Sequence, residues 1–102
     1  MTSKLLIKTY GKAEGYSEEN LIAGKHLLSL KDFQEFIIEE GDIKFIFDDG
    51  SVCTLVSSTQ GEDREATKLV RNALVARPGG SVELDLLSSG YEINNILLTY
   101  AD

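Results

Sequence analysis

The sequence predicts an α+β two-layer sandwich: a mostly antiparallel sheet of about five strands with two helices on one face, in the order β-α-β-β-α-β-β. Three observations lead there. Asp42–Ser57, DIKFIFDDGSVCTLVS, reads as a β-hairpin closed by Asp49-Gly50, because a two-residue type I′ turn needs φ > 0 at both central positions and Asp-Gly supplies it. Thr59–Arg77 carries apolar residues at a 3.6-residue spacing. A helix followed by a hairpin then recurs, at Ser29–Ser57 and Thr59–Tyr100. Residue identity between the two units is low, so the recurrence is architectural and no duplication is inferred.

Taken in order, Lys4–Tyr10 is β-rich, ends at Gly11 and places Leu5, Ile7 and Thr9 on one face of a first strand. Gly11–Gly24 is loop-like, with Ser17-Glu18-Glu19-Asn20 placed to cap one short turn of helix carrying Leu21 and Ile22. Ser29–Gly41 admits two readings. Ser29 as N-cap, Asp32 in the first turn, apolar Leu30, Phe33, Phe36 and Ile37, and a terminal Gly41 favour a helix over Leu30–Glu40. Glu39 and Glu40 carry the wrong sign for the last turn, and Phe36-Ile37-Ile38 before Gly41-Asp42 would equally suit a strand entering the hairpin. The helix is taken.

The hairpin register, counted outward from Asp49-Gly50, pairs Phe47 with Val52, Phe45 with Thr54 and Ile43 with Val56 on an inward face. Asp48/Ser51, Ile46/Cys53 and Lys44/Leu55 fall on the other. Phe45, Phe47, Val52 and Val56 are therefore expected to be buried against the second helix. That helix opens on a Thr59–Glu62 capping box, carries Glu62, Asp63 and Glu65 near the positive end of its dipole, and buries Ala66, Leu69, Val70, Ala73 and Leu74. Arg77 closes it with the favourable sign and Pro78-Gly79-Gly80 stops it. Ser81–Leu87 alternates Val82, Leu84 and Leu86 against Glu83 and Asp85, Ser88-Ser89-Gly90 turns the chain, and Tyr91–Tyr100 returns as a longer strand.

At 102 residues this is one globular domain, 1–102, large enough to bury a core without staples. The single cysteine, Cys53, excludes an intramolecular disulfide and reads as a small buried apolar residue. The start of the chain lacks a signal-peptide pattern and no run approaches the ~20 apolar residues that span a bilayer, so a cytoplasmic location is the expectation. A net charge of −7 disfavours direct contact with nucleic acid or with an anionic membrane surface, and favours attraction to basic surfaces.

No residue pattern names a chemistry. His26 is the one histidine, and its candidate partners Cys53, Ser29 and Asp32 belong to different elements, so no catalytic set is expected and the chain reads as a non-enzyme. One His and one Cys do not make a zinc site, and no acidic loop has calcium-loop spacing; no metal or cofactor is expected. Asp48-Asp49-Gly50-Ser51 is explained by its turn. Arg77-Pro78-Gly79-Gly80-Ser81 follows a helix and precedes a strand, the reverse of a phosphate loop, and reads as a helix stop.

Two charge patterns remain. Asp32, Glu35, Glu39, Glu40, Asp42, Asp48 and Asp49 crowd one stretch of the chain against only Lys31 and Lys44, whereas Arg64, Lys68 and Arg71 share one side of the second helix with Arg77 beyond its end. Either pattern can be a plain solvated face. As function, the acidic stretch suggests a small protein–protein interaction module, an inhibitor or immunity-type binder of a basic, nucleic-acid-handling partner by analogy of size and charge. The sequence offers Tyr10, Tyr16, Tyr91 and Tyr100 as aromatic anchors. The alternative is an anionic-ligand or nucleotide-binding protein using Arg64, Lys68, Arg71 and Arg77 across a subunit interface. Association of the acidic patch of one copy with the basic patch of another would make a homo-oligomer.

Overall fold

The computed structural model describes residues 1–10, 24–57 and 61–100. Among the described residues seven strands form two sheets, accompanied by one α-helix. β1 (Lys4–Thr9) lies between β2 (Gly24–Ser29), antiparallel to it, and β6 (Ser81–Leu84), parallel to it. β3 (Phe33–Glu39), β4 (Asp42–Phe47), β5 (Val52–Ser57) and β7 (Ile93–Thr99) form a second, wholly antiparallel sheet in that order. Helix α1 (Asp63–Ala76) packs against β6. The inward residues of both sheets and of α1 belong to one apolar cluster, which includes Leu5, Ile7, Phe45, Leu55, Val70 and Ile93.

The class is thus α+β and sandwich-like, but among the described residues one α-helix and seven strands replace the expected two helices and five strands. The expected helix over Leu30–Glu40 is strand β3. Its misleading feature is the i, i+3 spacing of Phe33 and Phe36, which a β-bulge between Phe33 and Glu35 reproduces by adding one residue to the edge strand. Both rings then face inward, with centroids 6.0 and 6.2 Å from that of Phe45, and Phe33 also lies 6.1 Å from Phe47. All four phenylalanines of the chain meet in this cluster, a packing gain that outweighs local helix signals. Asp32 at φ 63° is incompatible with a continuing first helical turn.

The hairpin at Asp49-Gly50 exists, but its register is one residue off the expected one. Gly50 N donates to Phe47 O at 2.9 Å and Phe47 N to Ser51 O at 3.0 Å, closing a three-residue loop in which Gly50 alone has positive φ. Asp49 supports it by accepting from Ser51 N (2.8 Å) and Ser51 Oγ (2.6 Å). Ile46 consequently faces Val52 and Phe45 faces Cys53. Since a one-residue slip exchanges faces, Cys53 and Leu55 are buried while Val52 and Val56 are only half-buried. The observed register places a thiol and a leucine inside where the expected one would have buried the Thr54 hydroxyl. The two-residue turn with both central φ positive is instead Glu40-Gly41, at 53° and 86°, joining β3 to β4.

Ser81–Leu87 and Tyr91–Tyr100 do not pair as a hairpin. β6 joins the first sheet and β7 the second, and a 3-10 turn at Leu87–Ser89, ending in Gly90 at φ 90°, carries the chain across. The crossing is fixed by Gly61, where an added Cβ would meet Ser89 O at 2.1 Å, and by buried Tyr91, whose hydroxyl donates to Asp63. Burial and this acceptor push the Tyr91 phenol up to about 12.

Helix α1 buries Ala66, Val70, Ala73 and Leu74, with Leu69 packed beside them, as its spacing predicts. It is shorter than Thr59–Arg77: Glu62 is the N-cap with no side-chain cap bond, and Thr59 lies outside the described residues, as does the Ser17–Ile22 turn. Its C-terminal carbonyls are satisfied from the start of the chain. Thr2 Oγ1 donates to Ala73 O (2.7 Å) and accepts from Arg77 N (3.1 Å), while Thr2 N donates to Leu74 O (2.7 Å).

Candidate functional site

The alternation of the second sheet defines its candidate surface. Inward positions of β4 and β5 are Ile43, Phe45, Cys53 and Leu55, so the opposite parity forms an outer face built in cross-strand rows. Glu35, Ile46, Val52 and Thr99 make one row, and Ile37, Lys44, Thr54 and Leu97 the next. Glu39 and Asp42 begin a third, which ends at Val56 and Asn95. The centre is aliphatic, with Ile46, Val52 and Val56 half-buried and Ile37 and Leu97 exposed. The β3 margin is acidic. Lys44 Nζ reaches Glu39 Oε1 at 3.2 Å, and Asp42 Oδ1 accepts from Ser57 N at 3.2 Å. Glu35 and Glu40 have no cationic partner among the described residues.

The structure therefore brings Glu35, Glu39 and Asp42 onto one face, with Glu40 at the adjoining turn. Asp48 and Asp49 lie at the opposite end of β4, in the β4–β5 loop, where Asp48 N donates to Asp32 O at 2.8 Å. The acidic run is divided between two ends of a strand roughly 20 Å long. Ser51 holds the Asp49 carboxyl below its usual range by hydrogen bonding to the ionised form.

The aromatic anchors fare differently. Tyr91 is fully buried and belongs to the core. Tyr10 donates its hydroxyl to Asp85, and burial together with that carboxylate pushes the phenol up to about 12. Tyr16 lies outside the described residues. Tyr100, at the end of β7, is 72% exposed.

Of the four candidate anion ligands, Arg64, Lys68 and Arg71 line one shallow recess of about 270 Å³ on α1 with Thr67 and Asn72. Arg77 sits past the helix end and does not join them. The glycine loop is occupied internally, since Gly79 N donates to Met1 O and Gly80 N to Arg77 O, while Gly80 O accepts from Ser3 N. His26 lies on β2 opposite Ile7, and Cys53 on β5 in the other sheet. Burial pushes the Cys53 thiol up to about 11, the opposite of what activates a nucleophile. Among the described residues no group of three His, Cys, Asp or Glu side chains is placed to hold a metal ion, and no helix is long and apolar enough to cross a membrane.

The sequence reading missed a second feature, a groove of about 260 Å³ where the edge strands β2 and β7 approach the β4–β5 loop, lined by Leu27, Leu28, Phe47, Leu98 and Tyr100 among others. Its legible signal is the uncharged run Ile93–Tyr100, INNILLTY. No family model matches the chain, and no curated protein or solved structure shows significant similarity to it.

Proposed function

We propose that this chain is a non-enzymatic protein-interaction module that docks a basic partner on the outer face of its four-stranded sheet. The partner class is an inhibited or neutralised protein whose own working surface is basic, as in nucleic-acid-handling proteins. One observation carries the reading: an aliphatic centre of Ile37, Ile46, Val52 and Leu97 is bordered by Glu35, Glu39 and Asp42, with Lys44 as the only cation among these rows. An apolar centre with a charged margin is the arrangement of interfaces that steer by charge and hold by burial. The net charge of −7 extends the field that guides a basic partner inward.

The recess on α1 supports a second reading, an anion-binding site, because Arg64, Lys68 and Arg71 face solvent with no ion-pair partner among the described residues. Affinity capture from the native host on the immobilised chain, eluted by a salt gradient, separates the two. The interaction reading expects a basic protein that is lost with a Glu35→Lys, Ile46→Glu variant and kept with Arg64→Glu, Arg71→Glu. Thermal stabilisation by nucleotides that disappears in the Arg64→Glu, Arg71→Glu variant would transfer the function to the helix.

A further inference from the structure

Among the described strands β7 is an edge strand, hydrogen-bonded in its sheet to β5 alone. Its first half is covered, because Ile93 O accepts from Tyr10 N at 3.0 Å and Asn94 and Asn95 are buried. Its second half is open: Leu97 and Leu98 are each 48% exposed and Tyr100 is 72% exposed. Sheets guard such edges with charges, bulges or proline, since an unpaired row of N–H and C=O groups is a template for another strand. Ile93–Tyr100 holds no charged residue in a chain whose charged fraction is 26%, and no proline.

We propose that a second copy of this chain covers this edge, the two β7 strands pairing antiparallel about a two-fold axis through Leu97–Tyr100. The surface is self-complementary in the way an isologous contact requires, since identical strands in antiparallel register present each position to its symmetry mate. Side-chain parity supports it. Leu98 and Ile96 face inward, opposite Cys53 and Leu55, and Leu98 and Tyr100 open onto the groove beside Leu27 and Leu28 of β2. An incoming β7 would set its own alternate apolar side chains, Leu98 and Tyr100, into that groove.

Electrostatics chooses the second copy over other occupants. Two chains of net charge −7 repel, so they meet most cheaply along a strand that carries no charge, and the groove beside it is lined by one cation, Lys31, and one acid, Asp49. In the joint sheet made by antiparallel β7 pairing, the two Asp48-Asp49 loops, which lie at the Thr99 end of β7, stand on either side of the axis, separated by the β5 and β7 strands of both copies. The acidic β3 strands become its two far margins. A basic partner segment, by contrast, is drawn to the acids of β3 and finds no charge on β7. The edge shares Leu97 and Thr99 with the proposed docking face but uses the strand's backbone, and in the dimer two such faces lie side by side in one eight-stranded sheet.

Sedimentation equilibrium of the full chain across a concentration series, at low salt and at about 0.5 M salt where charges are screened within a few ångströms, tests it. The expected result is a dimer that salt leaves intact or strengthens. Leu98→Lys with Tyr100→Lys should weaken it about 100-fold, through like charges opposed across the axis, even though the substitutions lower the net charge and hence the overall repulsion. Circular dichroism verifies that the variant folds, and Thr99→Lys serves if it does not. A Thr99→Cys variant should cross-link between copies on oxidation, because Thr99 lies on the axis when Leu98 faces Tyr100 of the second copy, buried Cys53 staying silent. A chain that stays monomeric at millimolar concentration overturns the proposal. So does a dimer that salt dissolves and that Arg64→Glu with Arg71→Glu abolishes, which would assign self-association to the acidic face and the helix.

Discussion

The four-stranded sheet ends in two edges of opposite construction. β3, FQEFIIE, carries Glu35 and Glu39, is bulged near its start and leaves through a turn with two positive-φ residues. β7, INNILLT, is regular where it is exposed and carries no charge. Each device on β3 opposes strand addition: charge repels a like edge, and a bulge twists the strand out of register with a newcomer. β7 has such protection only at its start, where Tyr10 covers Ile93. One chain thus holds a closed acidic edge and an open neutral one. The two proposals use this difference, the first edge meeting a partner of opposite charge and the second a surface without charge.

Removing the support beneath the closed edge is the severest way to break this comparison. Phe45 is fully buried and contacts Phe33 and Phe36, the two rings that hold β3 in place. Phe45→Ala should cost about 3–5 kcal/mol in denaturant unfolding. Hydrogen exchange should rise earlier in β3 than in β7, because β7 is held through β5 and Tyr10 as well. Equal loss of protection at both edges would show that they form one cooperative unit.

Alkaline pH acts on the β5–β7 side. The buried Cys53 thiol, opposite Leu98, is raised from 9.0 to about 11, so the folded state favours the protonated form. Its contribution is fully present below pH 9 and is lost as pH rises through about 11. That amounts to roughly 2–3 kcal/mol at 1.4 kcal/mol per unit. Unfolding titrations between pH 8 and pH 11 should show this decline, and Cys53→Ala should remove it. The Tyr10 and Tyr91 phenols, raised to about 12, add a loss that begins above pH 10 and survives that substitution.

The β3–β4 turn gives a smaller effect of opposite sign. Glu40 sits at φ 53°, in the left-handed region that Asn tolerates better, and is followed by Gly41 at 86°. Glu40→Asn should stabilise by about 1 kcal/mol in thermal or chemical unfolding. A destabilisation would mean that the Glu40 side chain supports the acidic margin.

These residues also explain what the sequence made legible. Helix α1 and the hairpin around Gly50 were readable because spacing and turn chemistry agree locally. β3 was hidden because the bulge at Gln34 gives strand residues Phe33 and Phe36 a helical spacing, and because the turn after it uses Glu-Gly, where Glu disguises a positive-φ position. The β5 register turned on one residue: Asp49 bonds to Ser51 and admits Asp48 into the loop, which local propensity does not distinguish from the tighter turn. The division of the acids between two ends of β4, and the burial of Tyr91, are consequences of topology, in which α1 and the 3-10 turn place neighbouring strands in different sheets. Of the candidate site, Glu35, Glu39 and Asp42 were legible as charge, while their shared face depended on β3 being a strand.

The smallest expected effect on stability is the most informative about the closed edge. Glu35→Lys, Glu39→Lys and Asp48→Lys together should change folding free energy by only about 0–1 kcal/mol each, since exposed charges and pairs such as Lys44–Glu39 contribute little. Asp42 is left intact because its carboxylate accepts the Ser57 amide. Binding of the captured basic partner should respond through its association rate, which long-range steering governs and salt screens within ~8–10 Å. The triple variant should associate more slowly and with a flatter salt dependence, at a nearly unchanged dissociation rate, in stopped-flow or surface-resonance kinetics. If Asp48→Lys alone reproduces the whole effect, the partner meets the loop end of the sheet. If Glu35→Lys with Glu39→Lys does so, it meets the β3 margin, because only there do two outward acids flank Ile37 on the face that the partner must bury.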